Sequence, residues 1–285
     1  VSVEYYQGGA TKTEKTFADG VETGANKGYY EGGQVMYTEG YKENTQEYVK
    51  KEFYDTGKLK TEYIYKDGRQ KGLSKLTFYD KNGKLKYEQN YKAGKKDGLY
   101  REYYENSKLK VEEYYSGDAR EGIRKEYYVS GNVMAESNYI KGLQEGVSKT
   151  YYSIGKVASE TNYIGGKKDG PARTFYESGN LKAEGFNKDD KLEGKRKEYY
   201  ENGKVKAEYS YKDGKQEGIT RIIAGNGKLK VDLNFYEGNL EGFSKAYLYY
   251  RNGNLKSEWS FKSAGDESVE KEFYETGTLK AESHY

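Results

Sequence analysis

Apolar and polar residues alternate along the chain in short runs that are separated by glycine-containing turns. In residues 193–216, EGKRKEYYENGKVKAEYSYKDGKQ, two such runs flank Asn202-Gly203, and a second turn follows at Asp213-Gly214. Alternation with a period of two is typical of β-strands, and Asn-Gly or Asp-Gly between alternating runs is a strong signal for a tight hairpin turn. The pattern therefore predicts a β-hairpin followed by a turn into the next hairpin.

The same 24-residue pattern recurs from one end of the sequence to the other. Self-similarity at a fixed period is typical of repeat proteins, in which each unit packs against its neighbours. We therefore predict an all-β fold, an elongated twisted array of antiparallel β-hairpin repeats with about twelve units, which forms one domain over residues 1–285. The repeats are 1–22 (partial), 23–46, 47–70, 71–96, 97–120, 121–144, 145–168, 169–192, 193–216, 217–240, 241–267 and 268–285 (partial).

Several positions of the repeat carry a recurring side chain. Positions are numbered from the residue before the opening glycine, so that Gly194 is position 2 of repeat 193–216. Position 7 is aromatic except at Ile223, and position 11 is glycine except at Ser107. Position 8 is predicted to be tyrosine in all repeats but one. These residues are Tyr6, Tyr30, Tyr54, Tyr79, Tyr104, Tyr128, Tyr152, Tyr176, Tyr200, Tyr250 and Tyr274.

Cross-strand pairing of charges decides between two registers of the hairpin. A three-residue first turn places Tyr199 opposite Val205 and Arg196 opposite Glu208, whereas a two-residue turn places Lys197 opposite Glu208. We prefer the first register, because it pairs apolar with apolar residues and opposite charges with each other. One face of the sheet then carries positions 3, 7, 13, 15 and 19, which are mostly apolar and should be turned inward. The other face carries positions 4, 6, 8, 14, 16 and 18, which are mostly charged.

Composition indicates that tyrosine takes the place of the missing aliphatic residues. The chain has 35 Tyr, 36 Gly, one Pro and no Cys, and its 49 basic and 46 acidic residues leave a net charge of +3. The charges alternate and form no basic patch, so we expect no nucleic-acid partner. No apolar run is long enough for a transmembrane helix, so we expect no membrane insertion. The first residues lack the regions of a signal peptide, so we expect none within this sequence.

Catalytic chemistry is not predicted by any motif. There is no cysteine, the only histidine is His284, and no phosphate-binding glycine loop occurs. Position 16 is a carboxylate in nearly every repeat, which would suit acid–base chemistry only if one pair were special. The alternative is cross-strand pairing with Lys and Arg, which a periodic column favours. We expect no enzyme activity, no cofactor and no metal. The position 16 residues are Glu14, Glu62, Glu88, Glu112, Glu136, Glu160, Glu184, Glu208, Asp232, Glu258 and Glu282.

The spacing Tyr-x-x-Gly-x-x-x-Gly at Tyr211 to Gly218 resembles the MORN repeat. The wider pattern, Gly-x-x-x-x-Tyr-Tyr-x-x-Gly-Lys-Leu-x-x-Glu-x-x-Tyr-x-x-Gly, is similar to the bacterial MORN variant of YwqK-type antitoxin proteins and covers essentially the whole chain. The resemblance implies a β-hairpin array, and a role as an antitoxin or immunity protein or as a bacterial surface protein. The chain lacks the recurrent tryptophan of the standard repeat and has only Trp259, so lipid binding is not expected.

We expect a non-enzymatic binding or scaffold protein, secreted or on the bacterial cell surface, that engages a macromolecular partner through an extended repeat surface. One alternative is an immunity or antitoxin protein that neutralises a toxin domain, with a cytoplasmic location. Another is a glycan-binding module. The expected partner is a protein, or a glycan in the last case, and the expected state is a monomer.

Two sets of residues are candidates for partner binding. The first is the tyrosine ladder of position 8 on the polar face, which could form a stacking platform or could shield the sheet. The second lies where the repeat is least regular, because two extra residues before Tyr249 indicate a bulge and interface hot spots are rich in aromatic residues. Drift of the sequence near the end of the array is the alternative explanation. The ladder comprises Tyr104, Tyr128, Tyr152, Tyr176 and Tyr200, and the second set comprises Ile222, Tyr249, Tyr250 and Trp259.

Overall fold

The computed structural model describes residues 1–22, 26–42, 45–66, 72–262 and 267–285, and every regular element in these ranges is a β-strand. The chain divides into two compact units, here called the N-terminal half (Val1–Leu143) and the C-terminal half (Gln144–Tyr285). The short strand β16 (Leu143–Gln144) lies at the division.

The N-terminal half consists of strands that follow one another in chain order, each long strand antiparallel to the one before it. Its strands are β1 (Ser2–Tyr5), β2 (Thr11–Lys15), β3 (Phe17–Ala18), β4 (Val21–Glu22), β5 (Asn26–Tyr29), β6 (Val35–Tyr41), β7 (Tyr48–Phe53), β8 (Leu59–Tyr65), β9 (Lys75–Tyr79), β10 (Leu85–Lys92), β11 (Lys95–Tyr103), β12 (Leu109–Ser116), β13 (Ala119–Arg120), β14 (Gly122–Tyr127) and β15 (Val133–Ile140).

The C-terminal half has the same order of antiparallel strands, so the predicted fold of antiparallel hairpin repeats is confirmed within each half. Its strands are β17 (Gly146–Tyr151), β18 (Val157–Ile164), β19 (Lys167–Phe175), β20 (Leu181–Lys188), β21 (Lys191–Tyr199), β22 (Val205–Lys212), β23 (Lys215–Gln216), β24 (Gly218–Ile223), β25 (Leu229–Tyr236), β26 (Asn239–Leu240), β27 (Ser244–Tyr249), β28 (Leu255–Phe261), β29 (Ser268–Phe273) and β30 (Leu279–His284).

A β-bulge after the first turn corrects the predicted register of the hairpin. Tyr199 pairs with Val205 as predicted, but the register then shifts, and Lys197 rather than Arg196 pairs with Glu208. The same shift follows the first turn in most other hairpins. The extra residue is position 14, Lys206, which has no partner in the ladder because two residues of one strand oppose one residue of the other. A pattern of period two does not reveal one inserted residue.

The bulge also exchanges the predicted faces after position 14, because each extra residue reverses the side on which later side chains lie. Positions 4, 6, 15, 17 and 19 share one side, called the packed face, and positions 3, 5, 7, 16 and 18 share the other, called the ion-pair face. Most of the buried side chains of the described residues lie on the packed face, and position 15 supplies the largest group of them. The buried residues at position 15 are Thr61, Val111, Ala183, Ala207 and Ser257.

Two repeats of irregular length depart from the predicted alignment. In repeat 71–96, Tyr79 pairs with Leu85 and Asp80 begins the turn, so Tyr79 occupies position 7 rather than the predicted position 8. In repeat 241–267, the strand before Tyr249 is regular, and the predicted bulge there is wrong. The extra residues instead move the register between repeats by two, so that Val231 pairs with Ala246.

The two turns of repeat 193–216 are held by different hydrogen bonds. In the first turn of repeat 193–216, the Tyr200 amide donates to the Lys204 carbonyl at 2.8 Å and the Gly203 amide donates to the Tyr200 carbonyl at 2.9 Å. Gly203 has a φ of 81°, which is why glycine recurs at position 11. In the second turn, the position 1 carboxylate accepts a backbone N–H, as Glu193 does from Asp213 at 2.9 Å.

Candidate binding surface

The predicted tyrosine ladder joins neighbouring repeats. The hydroxyl of Tyr104 donates to the Tyr127 carbonyl at 2.6 Å, and the hydroxyl of Tyr200 donates to the Ile223 carbonyl at 2.9 Å. Each bond runs from position 8 to the backbone of position 7 in the following repeat. The tyrosines are half-buried, so the column ties each first turn to the next hairpin and shields its edge. The same bond is made by Tyr6, Tyr30, Tyr54, Tyr152, Tyr176 and Tyr250.

The carboxylates of position 16 lie in ion pairs across the hairpin. Lys197 Nζ lies 3.3 Å from Glu208 Oε1, and equivalent pairs from position 5 to position 16 recur in both halves. A second bond comes from the tyrosine at position 7 of the next repeat, since Tyr199 donates its hydroxyl to Glu184 at 2.7 Å. The column therefore contributes to the pairing of strands. The equivalent pairs are Lys51–Glu62, Arg101–Glu112, Lys149–Glu160, Arg173–Glu184, Arg221–Asp232 and Lys271–Glu282.

These contacts change the ionisation of the tyrosines involved. Burial, together with the hydrogen bond to Glu184, raises the pKa of Tyr199 to about 12. Burial and the nearby carboxylates of Glu102 and Glu113 raise the pKa of Tyr100 to about 12 as well. The pKa of Glu88 is lowered: burial alone would raise it, but the hydrogen bonds from Lys75 and Tyr103 outweigh burial. In each case the fold stabilises the neutral tyrosine or the charged carboxylate.

Sequence patterns did not predict a buried carboxylate cluster on the packed face of the N-terminal half. Glu113 is 4% exposed and accepts hydrogen bonds from Arg120 at 2.8 Å, Arg124 at 3.0 Å and the Tyr115 hydroxyl at 2.7 Å. A buried charge is tolerated when it is paired and hydrogen-bonded, as this one is. Position 17 of the other repeats carries Lys, Glu, Tyr, Gln, Ser, Thr, Gly, Leu or Trp, so no column pointed to this group.

The predicted site near the C-terminus is divided between the two faces. Ile222 and Trp259 occupy positions 6 and 17 on the packed face, whereas Tyr249 occupies position 7 on the ion-pair face. Tyr250 lies at the turn, and its hydroxyl donates to the Phe273 carbonyl at 2.8 Å. Trp259 is 37% exposed, and its ring stacks on that of Tyr285 with centroids 5.8 Å apart. The structure therefore does not bring the four side chains together into one site.

An exposed row of apolar side chains crosses the ion-pair face of the C-terminal half, and the sequence had placed its position 3 members on the inner face and its position 18 member on the other. Position 3 and position 18 pair directly, as Pro171 does with Phe186. Val147, Phe186 and Ile219 are 51%, 44% and 46% exposed. The row lies across strands β17 to β24, which at about 4.8 Å per strand extends over roughly 30 Å. This group, called the apolar row, consists of Val147, Pro171, Phe186 and Ile219.

The N-terminal half carries a shorter apolar patch at the same positions. Tyr114 pairs with Leu99 and is 46% exposed, and Ile123, at position 3 of the next repeat, is 47% exposed. Lys195 interrupts the apolar row of the C-terminal half at position 3, where its side chain is exposed. Positions 3 and 18 therefore carry exposed apolar residues in both halves.

Other kinds of site were sought in the part of the chain that the structure describes. Across residues 1–22, 26–42, 45–66, 72–262 and 267–285, His, Asp and Glu side chains form no group of three or more that could hold a metal ion. Within the same ranges, no helix is long and apolar enough to cross a membrane.

The family described as "MORN repeat variant" matches nine segments that together cover more than half of the chain. The matched segments are residues 49–67, 75–93, 96–116, 120–141, 144–164, 168–188, 192–213, 245–263 and 267–285.

No curated protein matches the sequence. Among solved structures, a crystal structure of TcdB2-TccC3-Cdc42 is similar at 14% identity and a TM-score of 0.19, over 96% of this chain and 18% of that chain. A structure of the Photorhabdus luminescens Tc holotoxin pore is similar at 12% identity and a TM-score of 0.18, over 94% of this chain and 19% of that one. The chain thus spans less than a fifth of either protein chain, and a likeness at such TM-scores establishes neither a shared fold nor a shared function.

Proposed function

The chain belongs to the MORN repeat variant family, and we propose that it is a non-enzymatic binding protein, secreted or displayed on a bacterial surface, whose apolar row docks a protein partner. The recurring tyrosines and carboxylates are engaged in hydrogen bonds and ion pairs that hold the hairpins together. The side chains of the apolar row differ from repeat to repeat. They are therefore the part of the ion-pair face that can specify a partner.

The exposure of the apolar row is the observation that carries the proposal. Asn162, Lys195 and Ser210 stand between members of the row, so the surface carries several large apolar side chains among polar ones. Exposed apolar groups collected on one face commonly mark a surface that another macromolecule covers. The row is bordered along the strands by the ion pairs of positions 5 and 16, such as Lys197 with Glu208. An apolar centre with a polar rim is the usual anatomy of a protein–protein interface. A row of roughly 30 Å suits an extended segment or an edge of a folded partner.

Site-specific photo-cross-linking tests the proposal. A photoreactive amino acid is placed separately at Phe186, at Ile219 and, as a control, at Ile154, which is 62% exposed but lies in a first turn at the other end of the hairpin. We expect one protein to be captured at both row positions and not at the control. The captured protein is then purified, and its direct binding to the unmodified chain is measured. Capture that is equal at Ile154, or a purified protein that does not bind, would contradict the proposal.

A further inference from the structure

An open trough of about 340 Å³ lies on the packed face of the C-terminal half, at repeat 169–192. Its floor is made of small side chains, because positions 4, 15 and 17 are Ala172, Ala183 and Gly185. Asn187 and Arg196 stand at its sides. The trough lies on the opposite side of the sheet from the apolar row and is independent of it.

The next repeat shows what fills this place when the pattern is complete. Repeat 193–216 has Tyr209 at position 17 and Tyr211 at position 19, and their ring centroids lie 6.3 Å apart. Repeat 169–192 has Gly185 and Asn187 at the same positions. The trough therefore occupies the space that a pair of tyrosine rings fills one repeat further along.

The backbone does not require glycine at position 185. Gly185 does not adopt the left-handed conformation that favours glycine. A Cβ atom there would lie 3.4 Å from Cβ and Cγ of Arg196, which is an ordinary contact. Glycine inside a strand weakens it, and a glycine of this kind often marks a place where another molecule approaches closely.

Asn187 provides a second, independent observation. Its side chain is 7% exposed and lines the trough. Its amide atoms are not fully enclosed, because the buried side-chain atoms that lack a partner among the described residues belong to Gln89, Thr220 and Asp232. The Asn187 amide is therefore open to the trough, where it can pair with a ligand that brings a hydrogen-bonding atom.

Arg196 defines the chemistry of that ligand. Its guanidinium lies 5.9 Å from the ring centroid of Tyr209, and its side-chain stem borders Gly185 on the other side. Cations attract the faces of aromatic rings at this range. A ring that enters above Gly185 would therefore pack against Arg196 much as Tyr209 does, with a hydroxyl directed toward Asn187.

We propose that the trough binds one tyrosine side chain presented by a protein partner, which takes the place of the rings that repeat 169–192 lacks. The small floor accommodates the ring, Arg196 packs against its face, and Asn187 pairs with its hydroxyl. This is a second binding site on the opposite face from the apolar row, so its existence does not depend on the function proposed for that row.

Titration of the isotope-labelled full chain with N-acetyl-L-tyrosinamide, followed by nuclear magnetic resonance, tests the proposal. We expect saturable shifts of the Gly185 backbone amide and of the Asn187 side-chain amide. N-acetyl-L-leucinamide, an apolar probe without a ring, should bind about tenfold more weakly, since it offers no aromatic face to Arg196. Equal binding of the two probes, or no saturable shift at either residue, would overturn the proposal.

Two variants localise the binding. The double substitution Gly185→Tyr with Asn187→Tyr completes the pattern of the next repeat, and it should leave the melting temperature unchanged or higher while abolishing the shifts. Arg196→Met keeps the stem and removes the charge, and it should weaken tyrosinamide binding about tenfold without changing leucinamide binding. Should the double variant fail to fold, the Arg196→Met result decides alone. Full binding by either folded variant would place the probe elsewhere and reject the trough.

Discussion

The contribution of a single residue to stability depends on whether its contact recurs in other repeats. Tyrosine at position 8 and a carboxylate at position 16 make the same contact in repeat after repeat, as Tyr200 and Glu208 do. Among the residues that the structure describes, Glu113 is the one buried carboxylate that pairs with two arginines. Repeated contacts distribute stability over the array, whereas a unique buried charge concentrates it at one position.

Glu113→Ala should therefore destabilise the N-terminal half strongly. Removal of one partner of a buried ion pair leaves charges that have lost their partner, at a cost of about 3 kcal/mol. Glu112→Ala is the matched control, because its side chain is 22% exposed and pairs with Arg101 on the other face. That change should cost about 1 kcal/mol. Urea unfolding measures both free energies, and equal losses would show that the Glu113 cluster is not buried as described.

Tyrosine ionisation should set the alkaline limit of stability. The pKa of Tyr199 is about 12 in the folded chain, against an ordinary value of 10.0, so the folded chain holds its phenolic proton more tightly than the unfolded chain does. The stability that this contributes is complete below pH 10 and is lost as the pH rises through 12. Unfolding measured against pH checks this. Glu184→Gln removes the charge that Tyr199 hydrogen-bonds, so it should lower the folded-state pKa of Tyr199. The decline should then still begin near pH 10, but it should be smaller and end at a lower pH than in the unmodified chain.

At the level of the strand and the turn, the bulge at position 14 determines the faces. It was not predictable from alternation, because the residues on both sides of Lys206 keep a period of two and only the pairing between strands changes. The strands, the turn residues and the repeat were predictable, since each leaves a periodic signal. The exposure of the apolar row was not predictable, because alternation alone placed position 3 on the same inward face as position 15. Exposed groups that differ between repeats leave no periodic signal at all.

Exchange of charges tests the bulged register. Lys197→Glu and Glu208→Lys should each cost about 0.5 kcal/mol, and the double variant should recover most of that loss, because the pair is re-formed with its sign reversed. The matched control exchanges Arg196 with Glu208, which lie on opposite faces and should show no recovery. Thermal unfolding of the single and double variants gives the coupling energy. If stability recovers in the Arg196 exchange but not in the Lys197 exchange, Arg196 pairs with Glu208 and the hairpin has no bulge at position 14.

The first turn offers a substitution that should stabilise the chain. Ser107 stands at position 11 with a φ of 64°, where the other described repeats have glycine in the left-handed region. Non-glycine residues pay a steric cost there, so Ser107→Gly should stabilise by about 1 kcal/mol. Gly203→Ser in the equivalent turn should destabilise by a similar amount, since an asparagine precedes both residues and bonds the turn in the same way. The melting temperatures of both variants test this prediction. Shifts in the same direction would contradict this account of the turn.

In the molecule as a whole, recurring and variable residues have separate tasks. Recurring residues hold each hairpin to the next. We propose that the exposed side chains that vary between repeats bind a partner. The family match covers most of the repeats. A repeat array of this kind can acquire a binding surface by changing a few exposed positions without disturbing the contacts that keep it folded.

The affinity of the cross-linked partner for charged variants of the apolar row tests this central claim most directly. Phe186→Asp and Ile219→Asp each place a carboxylate at an exposed position of the row, so both should fold with a nearly unchanged melting temperature. Each should nevertheless weaken binding at least tenfold, a loss of about 1.4 kcal/mol, measured by calorimetry with the purified partner. Ile154→Asp, at a more exposed position in a first turn, should bind as the unmodified chain does. Unchanged affinity of both row variants, or an equal loss for Ile154→Asp, would show that the apolar row is not the docking surface.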